Sequence, residues 1–351
     1  MTSVADPLPP LRFLLLLLIF SSGSSAVARE ALTLQGRSMG TTWSIRYFPA
    51  AKGGGEPQAI HSGAGLLLKK INRLMSTYDE HSEISRFNRS LSTDWFRVSA
   101  ETARVAAAAV EMSRRTGGAF DGTLGPVVSL WGFGPGAVPR KVPGKGALQQ
   151  AMAETGWQQL QVRRHPPALR KARPGMSIDL SGIAKGYAVD ELLKWMRYQK
   201  ATAAMVEVGG EIRTFGNKPD GRPWAIGVER PVAGSRSLQR VVLPGTMAMA
   251  TSGDYRNYFE SGGKRYSHLI DPRSGRPVAH RLVSATVLAP DCMSADALAT
   301  AMMVMGETAG MALAEKQGIP VLFMVKKTGG FEERMSPPFK AYLADNAEKR
   351  P

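Results

Sequence analysis

Ser177-Ile178-Asp179-Leu180-Ser181-Gly182-Ile183-Ala184-Lys185-Gly186-Tyr187 reads as a short strand over residues 177–180, a glycine-containing turn and the first turn of a helix. The helix continues through Leu192, Leu193 and Trp195. A strand that delivers the chain into a helix start leaves unpaired backbone N–H groups at the turn, which makes a ready anion site. Outward from it, residues 32–48 alternate as a strand pair turning at Gly40, and Gly53-Gly54-Gly55-Glu56-Pro57 ends the pattern. Leu66, Leu67, Ile71, Leu74 and Met75 predict a helix up to Ser76, a polar loop through Tyr78, Asp79 and His81 leads to Phe87, and residues 100–115 predict an Ala-rich helix stopped by Gly117-Gly118. Further strands are expected at residues 204–208, 224–229, 240–243, 247–251, 282–288 and 320–325. Mixed strands with helices between them imply an α+β fold with a large sheet.

The 351 residues are 43% hydrophobic, enough for a sizeable core and inconsistent with disorder or a coiled coil. Arg12 precedes an apolar run over residues 13–20, and a Ser- and Gly-containing stretch then ends Ala26-Val27-Ala28. The run is too short to span hydrocarbon, so residues 1–28 read as a secretory signal cleaved after Ala28 rather than as an apolar tail. Residues 29–351 are expected to form a single exported domain. Its single cysteine, Cys292, excludes an internal disulfide, a cysteine zinc cluster and an iron–sulfur centre, and reads as a buried small hydrophobe.

Lys and Arg number 45 against 29 Asp and Glu, a net charge of +16. The basic residues are dispersed, as at Arg163-Arg164, Arg170-Lys171 and Lys326-Lys327, without interleaved aromatics or a nucleic-acid-binding signature. They describe a solvated basic surface suited to anionic phospholipid or an acidic partner. Residues 119–136 are apolar and punctuated by glycine, which suits close backbone approach by a ligand. Gly132-x-Gly134-x-Gly136 contains Pro135 and follows no βαβ strand, so it is a loop rather than a dinucleotide fingerprint, and no phosphate-loop motif occurs.

Two segments carry chemistry. Tyr266-Ser267-His268-Leu269-Ile270-Asp271-Pro272-Arg273-Ser274-Gly275 places a titratable His, a carboxylate and a guanidinium in one turn. Ser294-Ala295-Asp296-Ala297-Leu298-Ala299-Thr300 places Asp296 and Thr300 on one helix face, with Ser294 as N-cap. His268 reads equally as a general base oriented by Asp271 and as a structural group; Asp271-Pro272 also initiates a plain turn. Asp296 and Thr300 suit a hard divalent cation completed by phosphate oxygens and water, while a first-turn Asp also serves simply as a dipole partner. Lys185 either neutralises phosphate or solvates a helix start. Asp121 either accepts from a nucleobase or ribose, or caps the turn at Gly122.

Met39-Gly40-Thr41-Thr42, Ser76-Thr77-Tyr78, Ala119-Phe120-Asp121, Ile178 through Ala188, Val206 through Glu211, Ala250 through Tyr255, and the His268 and Asp296 segments occur in the order found in the ApbE family of FAD:protein FMN transferases. The chain resembles that family over residues 31–330. The resemblance implies a T-fold-like α+β domain with mixed sheets and packed helices, which uses FAD and Mg²⁺ outside the cytoplasm. It implies transfer of FMN to a Ser or Thr hydroxyl of an acceptor flavoprotein, such as a membrane redox complex subunit at the outer face of the inner membrane, with release of AMP. By matched position, Met39, Tyr78, Ala119, Phe120, Asp121, Ser181, Tyr187 and Ile270 would hold FAD. Asp296, Thr300 and the Ala184 carbonyl would hold Mg²⁺, for which Mn²⁺ is an equal match by ligand type. His268 would be the base at the acceptor hydroxyl, with Lys185 or Arg273 assisting phosphate charge.

The same residues would support an FAD pyrophosphatase, with water as the acceptor, and a non-catalytic FAD-binding module is the third reading. No lipid-accepting cysteine follows the signal, unlike in many members of the family, so only peripheral membrane contact is expected. Ser62-Gly63-Ala64-Gly65 resembles part of an acceptor motif but has Gly65 where a Ser or Thr is needed, so the chain is not expected to carry flavin itself.

Overall fold

The computed structural model describes residues 30–136, 139–231, 238–255 and 257–346. The signal segment expected over residues 1–28 lies outside them. One 8-stranded sheet organises the chain. Its strands are β1 (Leu32–Ser38), β2 (Thr41–Pro49), β3 (Ala201–Val208), β4 (Glu211–Phe215), β5 (Ala248–Gly253), β6 (Leu282–Ala289), β7 (Val321–Lys327) and β8 (Gly330–Met335).

Their order across the sheet is their order along the chain. Every neighbouring pair is antiparallel, so the mixed sheet expected from the sequence is corrected. Antiparallel neighbours need no crossover: a helical insertion can leave one end of a strand and return to the same end of the next. The only parallel pairing among the described residues is an isolated bridge between Leu124 and Ser177.

Two of the tight turns matter for the site. Between β1 and β2, Met39 and Gly40 adopt φ of 51° and 72°, the left-handed pair that matches strand twist in a two-residue hairpin. Between β3 and β4, Gly209 and Gly210 have φ of 65° and 106°. A Cβ on Gly209 would stand 2.9 Å from Thr41 Cγ2 and 3.2 Å from Lys185 Cδ, so glycine is what lets the Lys185 stem cross this turn.

The Pro57–Met75 helix buries Ile60, Ala64, Leu68, Ile71, Leu74 and Met75. Leu66, expected on its apolar face, is 68% exposed. The Ser62-to-Gly65 stretch lies inside this helix, and a Cβ on Gly63 would stand 2.3 Å from the Trp195 ring. The Ala184–Tyr198 helix packs on β3 and on the Cys292–Gln317 helix, which in turn covers β5 and β6. The latter is apolar and long enough by composition to cross a membrane, yet Ala295, Leu298 and Met302 are buried in the protein core. Each large apolar side chain so buried contributes roughly 1.5–3 kcal/mol. Cys292 is fully buried here, and burial raises its thiol pKa well above the usual range.

Residues 177–180 do not form the strand expected of them: beyond the Ser177 bridge the segment pairs with no strand among the described residues. Side chains and turns satisfy it instead. Asn88 Nδ2 donates to the Ile178 carbonyl at 2.9 Å, the Ile178 N–H donates to Asn88 Oδ1 at 2.8 Å, and the Asp179 N–H donates to the Gly122 carbonyl at 2.8 Å. Residues 224–229 and 240–243 form a separate pair of strands, Ile226–Glu229 and Leu238–Val242, outside the large sheet. The polar loop expected before Phe87 contains the Glu83–Arg89 helix, capped by Ser82.

Candidate functional site

A cavity of about 810 Å³ opens where the β1–β2 and β3–β4 turns, the loop after Gly118, the turn before the Ala184–Tyr198 helix and the His268 segment meet. Of the residues expected to hold a flavin nucleotide, Met39, Tyr78, Ala119, Phe120, Asp121, Ser181 and Ile270 line it. A second cavity of about 640 Å³ adjoins it through Tyr78, Val128 and Asp179. Tyr78 is 68% exposed, and its hydroxyl donates to the Phe133 carbonyl at 2.8 Å.

Tyr187 does not line either cavity. It lies two residues beyond Lys185, roughly 200° around the helix, and so points away from the side Lys185 occupies. Its side chain is buried, and burial followed by the charge of Glu191 pushes its pKa up to about 12. Ala184 is likewise buried in the first helical turn and absent from the cavity wall. Asp121 reaches the wall but serves its own turn. Its Oδ1 accepts from the Thr123 N–H at 2.8 Å and hydroxyl at 2.6 Å, and its Oδ2 from the Trp157 N–H at 3.2 Å. Burial raises its pKa despite these bonds.

His268 faces the cavity with one ring nitrogen already committed. Its Nδ1 lies 3.0 Å from the Asn257 carbonyl oxygen, which can only accept, so the neutral ring carries its proton on Nδ1 and its lone pair on Nε2. Phe133 meets the imidazole edge-on at 6.3 Å between centroids, and the Arg140 guanidinium lies 5.1 Å from the Phe133 centroid. Burial lowers the His268 pKa; the Asn257 bond opposes this, and the charges of Lys185 and Arg140 reinforce it. The result is an imidazole kept neutral and free to accept a proton.

Asp271, expected to orient His268, does not do so. It accepts from Arg273 Nε and Nη2, each at 2.9 Å, and from the Arg273 N–H. Arg273 is therefore drawn onto the exposed side of its own turn, with 66% of its side chain accessible, and is not in the cavity wall. Two residues on one tight turn are each other's nearest partners, so Asp271 is engaged by Arg273 rather than by His268.

The cationic centre of the cavity is Lys185. Its Nζ stands 3.4 Å from Asp296 Oδ1 and 3.4 Å from Glu211 Oε1. Burial disfavours the ammonium, but the two carboxylates outweigh it and hold the Lys185 pKa above its ordinary value. Glu211 is raised well above the carboxylate range, by burial first and against the pull of Lys185. Asp296 Oδ2 accepts from the Gly186 N–H at 2.9 Å. Thr300 lines the cavity, with Oγ1 3.5 Å from Ser252 Oγ. Ser294, expected to cap this helix, instead donates its N–H and hydroxyl to the carboxylate of Asp291, which is the N-cap.

The donor chemistry suits a hard cation. Among the described residues no three His, Cys, Asp or Glu side chains converge on one point, so a cation would rely on Asp296, hydroxyls, carbonyls and substrate phosphate oxygens, as Mg²⁺ does. Among the described residues the buried Glu211 Oε2 has no hydrogen-bond partner, which leaves an orphaned carboxylate oxygen beside Lys185.

Glu211 belonged to a recognised motif and Phe133 to the glycine-punctuated stretch over residues 119–136, both without an assigned role, and Asn257 gave no signal. Asn257 acts on His268 through its carbonyl, a group every residue has.

The chain is similar to known proteins over most of its length. The model of the ApbE family matches residues 39–323. A Vibrio cholerae relative, an FAD:protein FMN transferase, is 46% identical over 90% of this chain and 93% of its own length. The Haemophilus influenzae FAD:protein FMN transferase is 40% identical over 89% of this chain and 91% of its own. The solved structure of flavin transferase ApbE from Vibrio cholerae superposes with a TM-score of 0.82 at 45% identity, covering 90% of this chain and 99% of that one. With a family model spanning most of its length, and relatives and a solved structure that match nearly end to end, this chain belongs to the ApbE family.

Proposed function

We propose that the protein is a divalent-cation-dependent FAD:protein FMN transferase that moves FMN from FAD to a Ser or Thr hydroxyl of an exported flavoprotein and releases AMP. The observation that carries this reading is one cavity whose wall presents both the neutral imidazole of His268, with Nδ1 held by Asn257, and Lys185 bound to Asp296.

In this reading FAD lies along the wall from Met39 through Phe120 to Ile270, with the exposed Tyr78 ring as a stacking surface. His268 Nε2 takes the proton of the acceptor hydroxyl as its oxygen attacks the FMN phosphorus. A phosphoester forms, the pyrophosphate P–O bond breaks, and AMP leaves with the electron pair. Asp296 and Thr300 would hold Mg²⁺, and its role when bound is to neutralise charge on the pyrophosphate oxygens. Lys185 adds positive charge on the same side. Water in place of the hydroxyl would give FMN and AMP.

The expected signal over residues 1–28 and the basic surface support an exported protein, one that acts at the outer face of the inner membrane on an acceptor such as a redox-complex subunit. The antiparallel sheet with helices laid on it supports a T-fold-like reading of the domain that follows.

The test is intact-mass analysis of a protein carrying an Asp/Ser-Gly-Ala-Thr acceptor sequence, incubated with this enzyme, FAD and Mg²⁺. A covalent FMN adduct that is lost with Asp296→Ala is expected. AMP without an adduct would identify a pyrophosphatase, and FAD binding with neither product would identify a binding module.

A further inference from the structure

We infer that Glu211 is a second carboxylate of the cation site, and that the Lys185 ammonium occupies that site until a divalent cation displaces it. The inference rests on the metal-dependent reading above and extends it to two residues. Glu211 is 2% exposed, lines the same cavity as Thr300, and among the described residues its Oε2 has no hydrogen-bond partner. A buried carboxylate oxygen left unsatisfied is costly, and a ligand that supplies positive charge relieves that cost.

Lys185 relieves it only in part. Its Nζ is 3.4 Å from Glu211 Oε1, 3.4 Å from Asp296 Oδ1 and 3.5 Å from the Ser181 carbonyl. Each distance is longer than a good charge-assisted hydrogen bond, so the ammonium balances charge without saturating any acceptor. With both carboxylates ionised, the single +1 group between them leaves one negative charge uncompensated, which a divalent ion would neutralise; burial holds Glu211 towards its protonated form until such a charge arrives. The stem is free to withdraw. It passes over Gly209, where any side chain would obstruct it, and 26% of the Lys185 side chain is already accessible from the cavity. Once displaced, the ammonium stays tethered at the cavity wall, where the pyrophosphate of the substrate would meet it.

Competition for one place makes a prediction that simple phosphate neutralisation by Lys185 does not. Titration calorimetry with Mg²⁺ alone and with Mn²⁺ alone on Lys185→Met is expected to show binding about tenfold or more tighter than wild type, because the competing charge is gone. Lys185→Gln, which keeps a donor to both carboxylates, is expected to move the same way and serves if the Met variant does not fold. Glu211→Gln is expected to weaken cation binding in the wild-type and Lys185→Gln backgrounds alike. Added Mg²⁺ should also raise the melting temperature of Lys185→Gln more than that of wild type. Cation binding that both Lys185 variants leave unchanged or weaken overturns the inference and spares the metal-dependent reading, as does Glu211→Gln binding the cation like wild type. No cation binding by wild type or by either variant, with ADP absent or present, removes the metal-dependent reading and this inference together.

Discussion

The backbone N–H of Gly186 donates to Asp296 Oδ2 at 2.9 Å, so the first turn of one helix holds the key carboxylate of its neighbour. That bond requires the helices to approach closely, and they do. A Cβ on Gly186 would stand 2.1 Å from the Cys292 carbonyl oxygen and 2.8 Å from Met293 Cα. Both are backbone atoms of the Cys292–Gln317 helix start, which Asp190 pins by accepting from the Cys292 and Met293 N–H groups at 3.0 Å.

Gly186→Ala must therefore push the two helices apart. The expected cost is about 3 kcal/mol of stability, read by urea denaturation, with FMN transfer falling further than the loss of folded protein explains. Unchanged stability would mean that the approach is looser than described.

His268 is expected to shape the acid limb of the pH profile. Its folded pKa lies below the ordinary histidine value of 6.5, so the imidazole stays neutral to lower pH than a free one. The sign for stability is the same: the contribution is complete above 6.5 and is lost as pH falls through the depressed folded value. In kcat/KM measured against pH, the acid limb should fall below 6.5, and His268→Asn should abolish that limb while lowering kcat by roughly 10²–10⁴. A limb at or above the ordinary value would remove His268 as the base.

Tyr78→Ala removes an exposed ring that joins both cavities. Stacking of an aromatic ring on a base is worth roughly 1–3 kcal/mol, so KM for FAD should rise roughly tenfold to a hundredfold. The melting temperature should barely move, because the ring is largely exposed. Tyr78→Phe keeps the ring and loses only the bond to Phe133, so most of the FAD affinity should remain.

Arg273→Ala tests whether that residue assists phosphate charge. Its exposed pair with Asp271 is worth at most about 1 kcal/mol, and it does not line the cavity. Steady-state transfer should stay within about twofold of wild type, the range of a surface change. A drop of a hundredfold would return Arg273 to the phosphate site.

Much of the fold was legible because it is written locally. The hairpin at Gly40 and the Ala100–Arg115 helix appear where alternation, periodicity and glycine placed them. The ordered motifs also brought Met39, Ala119, Phe120, Asp121, Ser181 and Ile270 to one cavity. Residues 177–180 misled because a β-like pattern is local, while strand pairing depends on a neighbour. Here that neighbour is the Asn88 side chain, far away in sequence. Asp271 misled for the opposite reason: it is satisfied by Arg273, close in sequence, and His268 is left to Asn257.

Periodicity, turn chemistry and motif order depend on residues within a few positions of one another, so the chain's composition of strands, helices and site-bearing segments was decided before any long-range contact. Which faces meet was decided later, by packing. Tyr187 carries the same motif as Lys185 yet turns into the core because the helix rotates between them. Lys185 finds Asp296 across 111 residues because Gly186 lets two helices touch, and finds Glu211 because Gly209 lets its stem cross a turn. A motif read along the chain lists those residues; the close approach that makes them one charged site exists only where the helices and the sheet come together.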